Sequence, residues 1–150
     1  MDTAAKTKVI PTISSDTAGP LGAVHLPRLW TKLTLYNAGM LADGYDACGG
    51  GFDQMTIDGL GLERAKVEEF IKSRKPTYME FEEWVVGENG GSVAKGTIDA
   101  HNAAIRGYNH SDEKGSQMRT ASGIKDASVK DAVRLNNIED LDDLHKQATS

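Results

Sequence analysis

The sequence predicts an all-α protein, a compact bundle of about four to six short helices with glycine-rich connections and a flexible N-terminal arm. Three observations carry this. Apolar residues recur every three or four positions through several segments, which lines them along one face of a helix. No stretch alternates apolar and polar residues for long enough to form a strand. All nine aromatic residues lie between Trp30 and Tyr108, which concentrates the largest buried surfaces in the centre of the chain. At 150 residues and 16.1 kDa the chain has the length of about one domain.

Residues 1–20 are rich in Thr, Ala, Ser and Pro with little apolar periodicity, and are expected to be a flexible arm. The core is expected over residues 21–108. Its first helix follows Leu26, Leu29, Trp30, Leu33, Tyr36, Met40 and Leu41, with Pro27 in the first turn and Asp43-Gly44 as the stop. A second runs from about Leu62 to Arg74 and ends before Pro76. Thr77 and Glu80 then form a capping box for a third, with Tyr78, Phe81, Trp84 and Val85 inward. Ile98, His101, Ala104, Ile105 and Tyr108 define a fourth. Residues 109–150 read as a polar linker followed by a C-terminal helix docked through Val129, Val133, Ile138, Leu141 and Leu144. Asn137 is its expected N-cap, with Glu139 and Asp140 in the first turn and Lys146 in the last.

Charge narrows the function. Seventeen Lys and Arg against 22 Asp and Glu give a formal net charge of −5, which argues against nucleic acid or an anionic membrane as the partner. A single cysteine, Cys48, makes no internal disulfide, and no long apolar run marks a membrane span, so a cytoplasmic protein is the expectation.

The candidate chemistry is sparse. Gly49-Gly50-Gly51 permits close backbone approach to an anion, yet lacks the lysine and hydroxyl residue of a phosphate loop, and a plain connection between helices is the favoured reading of it. Arg28 and Lys32 are four apart and share one helix edge, where they would hold a carboxylate or phosphate, or pair with Asp43, Asp46 or Asp53. The four histidines, 25, 101, 110 and 145, lack the spacing of a zinc site, and no metal or cofactor is expected. His101 fits a hydrogen-bonded core histidine with Asn102 as its polar neighbour. Cys48 sits near Asp46 and Asp53, whose charges would raise its pKa.

Leu26-Pro27-Arg28-Leu29 with Lys32, Gly39-Met40-Leu41, Tyr45, Phe52-Asp53, Leu60-Gly61-Leu62, Glu68-Glu69-Phe70, Glu82-Glu83-Trp84-Val85 and Asn102 together resemble a bacterial family, the domain of unknown function 5069. The likeness spans His25 to Asn102, about half of the chain. His101 stands where the family has the Trp of a Trp-Asn pair, and the Cys48–Gly51 stretch is richer in glycine than the family pattern. The resemblance implies a small helical protein and assigns no catalytic residue.

With no assembled catalytic constellation, the favoured reading is an accessory or protein-interaction module with an unidentified protein partner, including a second copy of itself. The alternative is a protein or enzyme that binds a small anionic metabolite between Arg28, Lys32, Gly49, Gly50, Gly51 and Asn102.

Overall fold

The computed structural model describes residues 6–150. Among them the chain forms seven helices and no strand, with only two isolated backbone bridges, Val9–Leu41 and Asn109–Asp131. The helices are α1 (Leu26–Asn37), α2 (Phe52–Gly59), α3 (Arg64–Arg74), α4 (Tyr78–Glu88), α5 (Lys95–Arg106), α6 (Asp112–Ser122) and α7 (Ala132–Thr149). The all-α class holds. The count exceeds four to six because α2 and α6 arise where the sequence reads as a glycine-rich connection and a polar linker.

Helix α2 buries Phe52, Asp53, Thr56 and Ile57, a stripe half polar and therefore invisible to apolar periodicity. Helix α6 buries only Gly115, so capping defines it. Ser111 accepts from the Lys114 N–H, Asp112 and Glu113 occupy the first turn, and Gly123 closes it in the left-handed conformation.

Helix α1 ends earlier than expected. Gly39 adopts φ +71°, its N–H donates to Tyr36 and that of Met40 to Leu35, a Schellman closure that satisfies the last carbonyls before Asp43-Gly44 is reached. The capping box at Thr77 and Glu80 forms as expected. The C-terminal helix is capped by Asp131 rather than Asn137 and starts at Ala132. It docks through Ala132, Val133 and Leu135, whereas Leu141 and Leu144 are 53 % and 43 % exposed.

Two adjoining cores result. The larger gathers Leu26, Leu29 and Leu33 of α1 with Ile57, Val67, Ile71, Phe81, Val85 and Ile98. Phe70 stacks on Trp84 at 4.7 Å beside it, and Trp30 packs against its edge, so the aromatics serve the core as their spacing implied. The smaller joins Val24, Phe52, Ile105, Ala132 and Val133, and it fastens the α6–α7 pair to the rest.

The expectation of a flexible arm over residues 1–20 is corrected for the part described; residues 1–5 lie outside the described residues. Val9 exchanges backbone hydrogen bonds with Met40 (2.7 Å) and Ala42 (3.0 Å), and Ile10 and Ser15 are buried. Long-range partners replace the apolar periodicity that the segment lacks. Further on, Asn102 grips residues 22–24: its amide oxygen accepts from the Val24 N–H (2.9 Å), and its amide nitrogen donates to Gly22 O (2.8 Å). His101 Nε2 donates to Val24 O (2.8 Å).

Burial here has a measurable consequence. Ile10→Ala is expected to cost about 2–4 kcal/mol by opening a cavity, lowering the melting temperature by roughly 2–4 °C per kcal/mol. Leu144→Ala, on the exposed face of α7, should leave the melt within about 0.5 kcal/mol of the parent. Equal melting of Ile10→Ala and the parent would show that the N-terminal segment is not docked.

Candidate ligand-binding cleft

Asp53 lies in the first turn of α2 and is 2 % exposed. Three donors converge on it: His25 Nε2 on Oδ1 (2.7 Å), and Lys32 Nζ (2.5 Å) and the Gly49 N–H (2.7 Å) on Oδ2. Burial alone would raise its pKa, but the His25 hydrogen bond and the Lys32 charge outweigh this and hold the carboxyl at about 2. Burial lowers the pKa of His25 against the pull of Asp53, with Lys32 and Arg28 adding repulsion. We therefore assign a neutral imidazole whose Nε2–H donates to Asp53 and whose Nδ1 accepts from the Ser15 hydroxyl (2.9 Å).

Ser15, His25 and Asp53 thus have the connectivity of a hydroxyl, base and carboxylate relay. Ser15 and His25 are only 1 % and 2 % exposed, so a substrate cannot reach the hydroxyl, and the relay serves the fold. It holds His25 at φ +68°, a strained value for a side-chain-bearing residue, at the N-cap of α1.

Arg28 forms a second node. Its guanidinium bonds both oxygens of Asp140 on α7 (2.6 and 3.1 Å) and the carbonyls of Pro11 (2.5 Å) and Ile13 (2.9 Å). Tyr45 donates to Asp143 (2.7 Å) and also lies 3.2 Å from Asp140, and burial together with those carboxylates pushes its pKa up. One residue of α1 thereby holds both the N-terminal segment and the C-terminal helix.

Between these nodes opens a cleft of about 360 Å³. Arg28 and Lys32 form part of its floor, Gly49, Gly50, Gly51 and Phe52 one wall, and α6 and α7 the other. Five of the six residues singled out from sequence therefore meet in one place. Asn102 does not; it is committed to residues 22–24. Asp53, Asp46, Lys114 and Glu139 also line the cleft, and sequence reasoning did not assign them there. In sequence Asp53 and Asp46 stand out only as partners for Arg28 or Lys32, and Lys114 and Glu139 enter through α6 and α7, whose placement depends on Asp140.

The two basic residues differ in how firmly the protein holds them. Arg28 has both terminal nitrogens engaged, whereas Lys32 gives the protein one hydrogen bond from an ammonium with three donors. The α2 N-terminus beside it has no side-chain cap, and among the described residues the N–H groups of Gly50 and Gly51 meet no protein acceptor. Arg64 pins the loop from behind by bonding Gly49 O (3.0 Å), Gln54 (3.0 Å) and the Cys48 carbonyl.

The remaining candidates lead elsewhere. Burial and the Asp53 charge push the Cys48 thiol up to about 11, against the pull of Arg64, so the thiolate is scarce at neutral pH. Among the described residues no group of three or more His, Cys, Asp or Glu side chains is placed to hold a metal ion, and no helix is long and apolar enough to cross a membrane. No protein-family model matches the chain, and neither a curated protein nor a solved structure matches it significantly.

The buried charges fix the acid response. The unfolded chain protonates His25 near 6.5, where the folded chain keeps it neutral, so that stability is complete above this pH and declines below it. His101, lowered by burial, shares the window. Asp53 adds a second decline from about 3.8 towards 2, worth about 2 kcal/mol. Urea unfolding against pH should show both stages, and Asp53→Asn should erase the lower one. A profile flat from pH 7 to 3 would contradict the assignment.

Asp140→Asn should destabilise by about 3 kcal/mol or more, because it leaves Arg28 buried without its carboxylate. Asp16→Asn, at the exposed Asp16–Arg106 pair, should cost less than about 1 kcal/mol. Similar costs for the two would refute the keystone role of Arg28.

Proposed function

We propose that this protein binds a small molecule through a phosphate or carboxylate group seated in the cleft between the glycine loop, α1, α6 and α7. The observation that carries the reading is Lys32: an almost fully buried ammonium with uncommitted donors, at the floor of a cleft and beside the uncapped N-terminus of α2. Lys114 adds a second cation at the rim. The cleft volume suits a small metabolite. The segments that resemble the domain of unknown function 5069 contribute Arg28, Lys32, Tyr45 and Asp53 to it, so the proposed family membership and the proposed site point to the same residues. A cytoplasmic location belongs to the same reading.

In this scheme Arg28 is a positioning residue that holds α7 in place, and Lys32 meets the ligand. The second reading, a protein-interaction module, draws on Leu141 and Leu144, which stand exposed three residues apart on α7.

Isothermal titration with inorganic phosphate, ethyl phosphate and propionate tests the proposal. Lys32→Gln should weaken binding about tenfold or more, the loss of one charge-assisted contact. Lys32 also supports Asp53, so its melting temperature is measured alongside; the exposed Lys114→Ala, which leaves the fold intact, should weaken binding severalfold. Unchanged affinity in both variants would remove the cleft as the site. Absence of heat with every probe would overturn the proposal and leave the interaction module as the standing reading.

A further inference from the structure

The cleft carries both signs of charge. At the floor Lys32 has spare donors; at the rim Asp46 and Glu139 are exposed carboxylates that meet no cation within ion-pairing distance among the described residues. They stand on opposite walls, Asp46 on the segment leading into the glycine loop and Glu139 on α7. Asp46 Oδ2 and Asp53 Oδ2 lie 3.5 and 3.6 Å from the point where a Cβ on Gly49 would sit, which sets the rim carboxylate close to the Lys32–Asp53 pair.

We infer that the ligand is zwitterionic, an amino acid or aminoalkyl phosphate whose anionic group meets Lys32 and whose ammonium meets Asp46 and Glu139. The inference rests on the anion site proposed above and adds the second charge. The lining holds three cations, Arg28, Lys32 and Lys114, against three carboxylates, Asp46, Asp53 and Glu139, so the cleft is neutral as a whole and polar within. A purely anionic ligand would gain at Lys32 and Lys114 but be repelled by Asp46 and Glu139, whereas a ligand with separated charges gains from both signs. Glu139, exposed along its stem, has a carboxyl shielded in part from solvent: that partial burial, followed by the charges of Asp143 and Asp140, raises its pKa, with Lys114 and His110 opposing. An ammonium placed beside it would relieve that repulsion.

The test compares matched probes by isothermal titration of the full chain at neutral pH: phosphoethanolamine against ethyl phosphate, and β-alanine against propionate. The amino-bearing probe of at least one pair should bind about tenfold tighter than its partner, and the pair that responds tells phosphate from carboxylate. In the double variant Asp46→Asn/Glu139→Gln, both positions exposed and the melt unchanged, that preference should fall to about twofold or less. Equal affinity within both pairs in the parent protein would overturn the inference while leaving the anion site standing. A preference that survives in the double variant would overturn it as well, because the rim acids would then play no part. No binding of any probe would remove the anion site itself.

Discussion

A single buried carboxylate organises this fold. Asp53 has three donors from three places: His25 at the entry to α1, Lys32 within α1, and the Gly49 N–H from the loop before its own helix. An ionised carboxylate so buried is tolerated only when its lone pairs are met, so each donor is held where Asp53 needs it. The left-handed backbone at His25, the course of the glycine loop and the buried position of Lys32 follow from this one requirement. Through the His25–Ser15 hydrogen bond the constraint reaches the N-terminal segment as well.

Arg28, one turn before Lys32, repeats the logic with the chain termini. Its fork takes both oxygens of Asp140, 112 residues further along the chain, and two carbonyls of the N-terminal segment, joining both ends of the chain to one side chain. The cleft exists because these two nodes share an edge of α1: Lys32 ties that edge to α2, and Arg28 ties it to α7. Buried ion pairs are weak contributors to stability when compared with apolar packing of the same volume. Their concentration around one cleft is therefore better explained by positioning than by stability.

How much of this was legible in the sequence depended on how each element is held. Helices α1, α3, α4 and α5 are held by apolar faces, and their periodicity, together with Pro27, Pro76 and the Thr77–Glu80 box, announced them. Helix α2 buries Asp53 and Thr56 alongside Phe52 and Ile57, and residues 9–15 are fixed by hydrogen bonds to Met40 and Arg28, so neither carries an apolar signature. The cleft was legible in part for the same reason. Spacing put Arg28 and Lys32 on one edge and made Asp53 a candidate partner, but Asp140 as the partner of Arg28 requires the tertiary placement of α7. Asn102 lies outside the cleft, because a half-buried amide that braces a loop looks, in sequence, like one that faces a ligand.

Arg28 and Lys32 show why residue type alone leaves a site undecided. Both are cations on one helix edge, and a planar guanidinium is the stronger partner for an oxyanion. That same geometry makes Arg28 the better bracket: its fork spans a carboxylate and two carbonyls at once, which fixes the side chain in place. The Lys32 ammonium satisfies Asp53 with one hydrogen and keeps two. What a buried cation can recognise is set by how firmly its own protein holds it: Arg28 is fixed by four hydrogen bonds and Lys32 by one, so the lysine, the weaker ligand in isolation, is the freer to turn toward a ligand at the cleft floor.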